Sequence, residues 1–194
     1  MVDLRHLPVN LGLMKEFPSG ENIVTSIWYE MLPVTLEAGC VVTLRRREES
    51  EDQSWLIPHQ VGQHPNETAL EQVRHFFGEL FEPESSILHS TSWRYCQSTE
   101  RLLLTYLLVL PQHTWISCQA AGARLVARRV GTRELVRGDH LHAPARIEVD
   151  HVLAHALDHL AWLDDSDENI HAVLETGWRE MLQMRLPKPA GHLA

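Results

Sequence analysis

Few of the features that assign a chain at sight are present in this sequence. Its three cysteines, Cys40, Cys96 and Cys118, are an odd number with no close pair, which argues against a disulfide framework and for reduced thiols in a cytoplasmic protein. No apolar run approaches the roughly 18–20 residues of a membrane span; residues 102–110 form an apolar run that is far too short. Met1-Val2-Asp3-Leu4-Arg5 begins no continuous apolar stretch, so no signal peptide is expected. Positive charge is scarce: 17 basic against 26 acidic side chains leave a net charge of −9, which speaks against a nucleic-acid binder. Arg45-Arg46-Arg47 and the trio Arg124, Arg128 and Arg129 are local exceptions, read as a strand end and a solvated face. There is no glycine-rich phosphate loop, no dinucleotide-binding fingerprint and no Gly-x-Ser-x-Gly elbow.

What the chain does have is material for one core. With 194 residues and 44% hydrophobic content it suits a single domain. Residues 1–22, with Pro8, Gly12, Pro18 and Gly20, read as an N-terminal arm. Residues 23–143 read as a mixed sheet with one helix, residues 144–186 as a helix pair and residues 187–194 as a tail. Strands are expected over 23–32, 40–44, 55–58, 91–97 and 101–110, where β-branched and aromatic residues concentrate, with Pro33 and Gly39 as punctuation. Further strands are expected over 113–119 and 123–130, followed by a Gly131-Thr132 hairpin returning through Leu135-Val136.

The clearest helix of the first half is expected over residues 66–82. At about 100° per residue, Ala69, Leu70, Val73, Phe76, Phe77, Leu80 and Phe81 fall on one arc, and Glu67, Glu71, Arg74, His75, Glu79 and Glu82 on the other. Asn66 suits its cap and Pro83 its stop. Near the C-terminus, Val149, Val152, Leu153, Ala156, Leu157, Leu160 and Leu163 form a second helical stripe. Asp165 and Glu168 stand at capping-box spacing ahead of a last helix that turns Ile170, Val173, Leu174, Met181 and Leu182 inward and ends at Pro187. Two helices joined by a short polar turn predict an antiparallel pair on the sheet.

Strand, strand, Trp55-Leu56-Ile57-Pro58, loop, amphipathic helix and long apolar strand together resemble a Nudix domain over residues 34–112. That family's box is G-x5-E-x7-R-E-U-x-E-E-x-G-U, with U a bulky apolar residue. Laid on this chain without gaps, Gln60 takes the first glycine position, Asn66 the first glutamate and His75 the second. Arg74 matches the arginine and Phe76 the apolar position; Gly78 and Glu79 take the glutamate pair, and Phe81 the last glycine. Sliding the frame by one brings Glu67 into the first acidic position at the cost of a later deletion. The resemblance implies an α+β fold of α/β/α sandwich type: a Nudix-like mixed sheet with the box helix, to which this chain adds the C-terminal helix pair.

The resemblance also implies a reaction, hydrolysis of nucleoside diphosphate derivatives with Mg²⁺ or Mn²⁺ on the box glutamates. Mg²⁺ asks for hard oxygen ligands in near-octahedral geometry, to neutralise pyrophosphate and activate water. Histidine and glycine in two of the acidic positions therefore predict an impaired catalyst. Glu79 remains as the one candidate catalytic carboxylate, and Glu71, His75 and Glu79, spaced i, i+4, i+8, as a candidate metal row. Arg74, Glu71 and Trp55 are the candidate ligand contacts. The expected function is a ligand-binding or protein-interaction module, with a divergent hydrolase using Glu79 with Glu71 or His75 as the alternative. The partners expected are a nucleotide-like small molecule or a second copy of the chain in a homodimer, and neither nucleic acid nor membrane.

Other groupings are weaker. His151, His155 and His159 repeat every fourth residue, a spacing found in helical metal sites, but they lie outside the apolar stripe and are expected on an exposed face. His140-Leu141-His142 with Glu148 has too long a spacing for a cupin-type metal motif. Cys96 and Cys118 read as small strand thiols. Trp28, Trp55, Trp93 and Trp115 are expected on or near the sheet.

Overall fold

The computed structural model describes residues 26–46, 55–58, 65–96, 101–120, 125–130 and 149–192. The N-terminal arm, Gln60, Leu135-Val136, His140, His142 and Glu148 lie outside them. The elements are β1 (Ser26–Glu37), β2 (Cys40–Arg46), β3 (Trp55–Pro58), α1 (Pro65–Phe77), a 3-10 turn (Gly78–Leu80), β4 (Ile87–Cys96), β5 (Arg101–Val109), α2 (Gln112–Ala120), β6 (Leu125–Val130), α3 (Val149–Ser166), α4 (Glu168–Val173), α5 (Thr176–Leu182) and β7 (Gly191–His192).

The strands join one mixed sheet in the order β6-β2-β1-β5-β4-β7, with β3 also on β1. β1 is the central strand. Along one edge it runs parallel to β5 from Ser26↔Arg101 to Val34↔Val109. Along the other it meets β3 at Trp28–Met31 and β2 at Val34–Glu37, both antiparallel. Pro33 does not punctuate this strand as expected but lies within it, buried. The reason is geometric. Val34 turns its carbonyl toward β5, where it accepts from the Leu110 N–H at 2.8 Å. Pro33 therefore turns its nitrogen to the opposite edge, at the gap between β3 and β2, where a missing N–H costs no ladder bond. The β1–β2 hairpin closes on Ala38 and Gly39, at φ 50° and 75°, as a tight two-residue hairpin turn requires.

Side-chain alternation sorts β1 and β5 into two faces. Tyr29, Met31, Tyr106, Leu108 and Leu110 pack with Val42 against Ala69, Val73 and Phe77 of α1, Phe81 and Trp115. Leu32, Val34, Leu107 and Val109 pack on the other face with Val41 and Ile87 against Val152, Leu153, Ala156, Leu157 and Leu160 of α3, and Leu174, Trp178, Met181 and Leu182 beyond it. A mixed sheet lies between two helical layers, an α+β architecture, and β5 is covered on both sides as its apolar run predicts.

Four local expectations are corrected. Residues 113–119 are helical, not extended. Pro111 starts α2, its carbonyl accepting from the Thr114 and Trp115 N–H groups, and Trp115 is buried. α1 ends at Phe77, well before Pro83, because Gly78 takes φ 54°, the left-handed conformation in which helices commonly stop. The helix after α3 is capped by Asp167, whose side chain accepts from the Asn169 and Ile170 N–H groups, and not by Asp165. It is also broken in two: Leu174 and Glu175 are extended, with ψ 122° and 151°, and the Glu175 carbonyl then starts α5 by accepting from Trp178 and Arg179. The helix pair is thus a long helix with two short ones. Gly177 sits where α5 crosses β1, since a Cβ there would meet Leu36 Cδ2 at 3.0 Å. The tail is structured as well, with Gly191 and His192 pairing parallel to Ser92 and Trp93 of β4.

Candidate functional site

The expected site on α1 comes apart at the helix end. Glu67, Glu71, Arg74 and His75 are exposed on α1, opposite the buried Ala69, Val73 and Phe77. Glu79 is exposed too, but it lies in the 3-10 turn beyond Gly78, so the i, i+8 relation to Glu71 that a continuous helix would impose is lost. His75 sets its ring edge-on to Phe76, with centroids 5.6 Å apart. Arg74 stands in the last turn of α1, where a cation complements the helix dipole. Trp55 belongs to β3, opposite Met31. Among the described residues no three His, Cys, Asp or Glu side chains gather closely enough to hold a metal ion. Glu71, His75 and Glu79 do not fit the oxygen-rich octahedron that magnesium or manganese demands.

A nearby carboxylate is engaged elsewhere. Glu82, also exposed, pairs through Oε1 with His113 Nε2 of α2 at 3.0 Å, and Oε2 accepts from the Ser85 hydroxyl at 2.9 Å. These two hydrogen bonds, the histidine's first, hold its carboxyl below the usual range.

The opposite face of the sheet carries polar groups with no marker in the sequence. In β4, Thr91 is an extra residue: Ser90 pairs with Tyr106 and Ser92 with Thr105. The bulge shifts the alternation by one, so that His89, opposite Leu107, and Arg94, opposite Leu103, both point toward α3. Glu30 shares that face with Leu32 and Val34 and is 1% exposed. Arg94 grips it with both ends of its guanidinium, Nη1 donating to Oε2 and Nη2 to Oε1, each at 2.6 Å. The Thr105 hydroxyl donates to Oε2 at 2.8 Å. Three strands are tied together by one buried, bidentate ion pair.

The histidine row of α3 is also not the exposed face expected of it. His151 and His155 are half-buried and His159 is 1% exposed. His159 Nδ1 donates to the Lys188 carbonyl at 3.0 Å, and Trp162 stacks on its ring at 15°. His159 Nε2 must then accept, and it faces His89 Nδ1 at 3.3 Å, whose proton also points to the Ser90 carbonyl at 2.8 Å. Two neutral imidazoles of defined tautomer result. Burial pushes His159 down to about 4, and His89 also downward. Directly before His159 in α3, Asp158 is 6% exposed, receives Lys188 Nζ at 3.3 Å and Arg185 Nη1 at 3.5 Å, and its carbonyl accepts from the Lys188 N–H. These groups staple the tail to α3 and β4.

The C-terminal helices also form a concave surface. Between the end of α3, α4 and α5 lies a cavity of about 670 Å³ whose lining includes Asp164, Asp165, His171, Arg179, Glu180 and Arg185. His171 Nδ1 donates to Asp164 Oδ1 at 2.8 Å, while its Nε2 accepts from Arg179 Nη1 at 3.3 Å. No signal of this relay was legible beforehand, because its members come from three helices whose boundaries depend on the Asp167 cap and the Leu174–Glu175 break.

No helix among the described residues is long and apolar enough to cross a membrane. Compared with family models and with curated proteins, the sequence matches none.

Proposed function

We propose that this chain is a Nudix-like domain that has given up hydrolysis and serves as a ligand-binding or protein-interaction module. The observation that supports this is the end of α1. Gly78, in the left-handed conformation, follows Phe77 directly, and Glu79 falls in the next turn, off the face that carries Glu71 and His75. In the ungapped box frame Gly78 also stands where an acid is called for, so the substitution removes a ligand and ends the helix in one step. The partners proposed remain a nucleotide-like small molecule or a second copy of the chain.

The test is phosphate release from a panel of nucleoside diphosphate derivatives with Mg²⁺ and with Mn²⁺. No release above the protein-free blank is expected. Metal-dependent release that disappears in Glu79→Gln would overturn the proposal and establish the divergent hydrolase in its place.

A further inference from the structure

The cavity between α3, α4 and α5 has a charge arrangement that no part of the α1 face explains. We propose that it is a binding site for a small zwitterion, an oxyanion (phosphate monoester or carboxylate) joined to an ammonium group, with Arg179, set in place by His171, holding the oxyanion.

The argument starts from Arg179. A guanidinium offers five N–H donors in a rigid fork suited to carboxylate and phosphate oxygens. Here Nη1 donates to His171 Nε2 at a long 3.3 Å, and Nε is buried, so the tip of the fork is the end that faces an entering group. Asp164 accepts from His171, and the contact Arg179 makes is to an imidazole and not to a carboxylate, weaker than the charge-assisted bond an oxyanion would offer. The volume, about 670 Å³, lies within the usual range for small-molecule sites.

His171 sets the position of that guanidinium. Asp164 accepts from its Nδ1–H, which leaves Nε2 to accept from Arg179 Nη1 and hold the fork at the cavity wall. Asp165 and Glu180 on the lining would repel a plain dianion, and they supply the complement to an ammonium group. Arg185, also on the lining, leans toward Asp158 and adds positive charge behind the oxyanion.

This inference does not depend on the α1 face, so hydrolysis at that face and binding in this cavity succeed or fail separately. The test is titration of the full chain with phosphoethanolamine, β-alanine and ethyl phosphate, followed by amide NMR shifts and calorimetry. Phosphoethanolamine or β-alanine is expected to shift amides of α4 and α5, and whichever binds identifies the oxyanion as phosphate or carboxylate. Arg179→Gln is expected to weaken binding roughly tenfold or more, the loss of one charge-assisted hydrogen bond. His171→Gln is expected to weaken binding less than Arg179→Gln does, since it removes the support and not the donor. Unchanged circular dichroism checks that both variants fold. The proposal is overturned if neither zwitterion shifts these amides, if Arg179→Gln binds as the parent does, or if ethyl phosphate binds as tightly as phosphoethanolamine.

Discussion

Glu30→Gln is expected to remove about 3–5 kcal/mol of unfolding free energy, the usual cost of stripping one partner from a buried ion pair. Glu30 is 1% exposed and Arg94 16%, and the pair spans β1 and β4 with Thr105 of β5 donating between them. Glutamine retains the shape but leaves the guanidinium buried beside a neutral amide. The double substitution Glu30→Leu with Arg94→Met removes both charges, and should cost far less than the single change or even stabilise. Urea denaturation of the three proteins measures this. A single-variant loss below about 1 kcal/mol would mean that the pair is solvated and the sheet face is open there.

The second large effect is a dependence of stability on pH carried by His159. Its folded value is depressed from 6.5 to about 4 by burial, the Lys188 hydrogen bond opposing and the neighbouring His89 and His155 assisting. A depressed histidine is neutral when folded, so below 6.5 the unfolded chain binds the proton that the folded chain refuses. Stability from this group is full above pH 6.5 and drains as pH falls toward about 4, by about 3 kcal/mol in all. His89 is lowered in the same direction, and protonating His159 Nε2 would set it against the Nδ1–H of His89. Carboxylates contribute their own acid losses, so the comparison that counts is with His159→Gln. Its unfolding free energy should start lower at neutral pH and fall less steeply between about pH 6.5 and about pH 4. Parallel curves for parent and variant would contradict the account.

How much of this was legible depended on the kind of signal. The Ala69, Val73, Phe77 face of α1 and the Val152–Leu160 stripe of α3 were visible because burying one side of a helix imposes a period that the sequence must carry. β5 was visible because a strand covered on both faces is apolar at nearly every position. The ends of elements were less so. Gly78 was weighed as a lost glutamate, though a glycine on a helix was also a stop. Thr114, Trp115 and Ile116 looked β-like, and Pro111 outweighed them by starting a helix. Pro33 looked like a break, and only the change of partner along β1 makes it harmless.

The polar layer between sheet and α3 was not legible for a different reason. His89 and Arg94 lie five positions apart, so simple alternation puts them on opposite faces; the bulge at Thr91 brings them to one, and threonine there is no marker of a bulge. Nothing local marks Glu30 as buried, since its partner Arg94 lies 64 residues away. His159, at the edge of the apolar stripe, became interior because the tail folds back and supplies the Lys188 carbonyl. Contacts made across the whole length of the chain leave no local pattern to read.

The central claim is the proposal that the α1 face does not act as a divalent-metal site. Titrating the full chain with Mn²⁺ and following paramagnetic broadening of backbone amides tests it most directly. The account predicts only weak, diffuse broadening near exposed acids, with no preference for the amides of Glu71, His75 and Glu79. Selective loss of those three signals at micromolar Mn²⁺, reversed by Glu79→Gln, would contradict it.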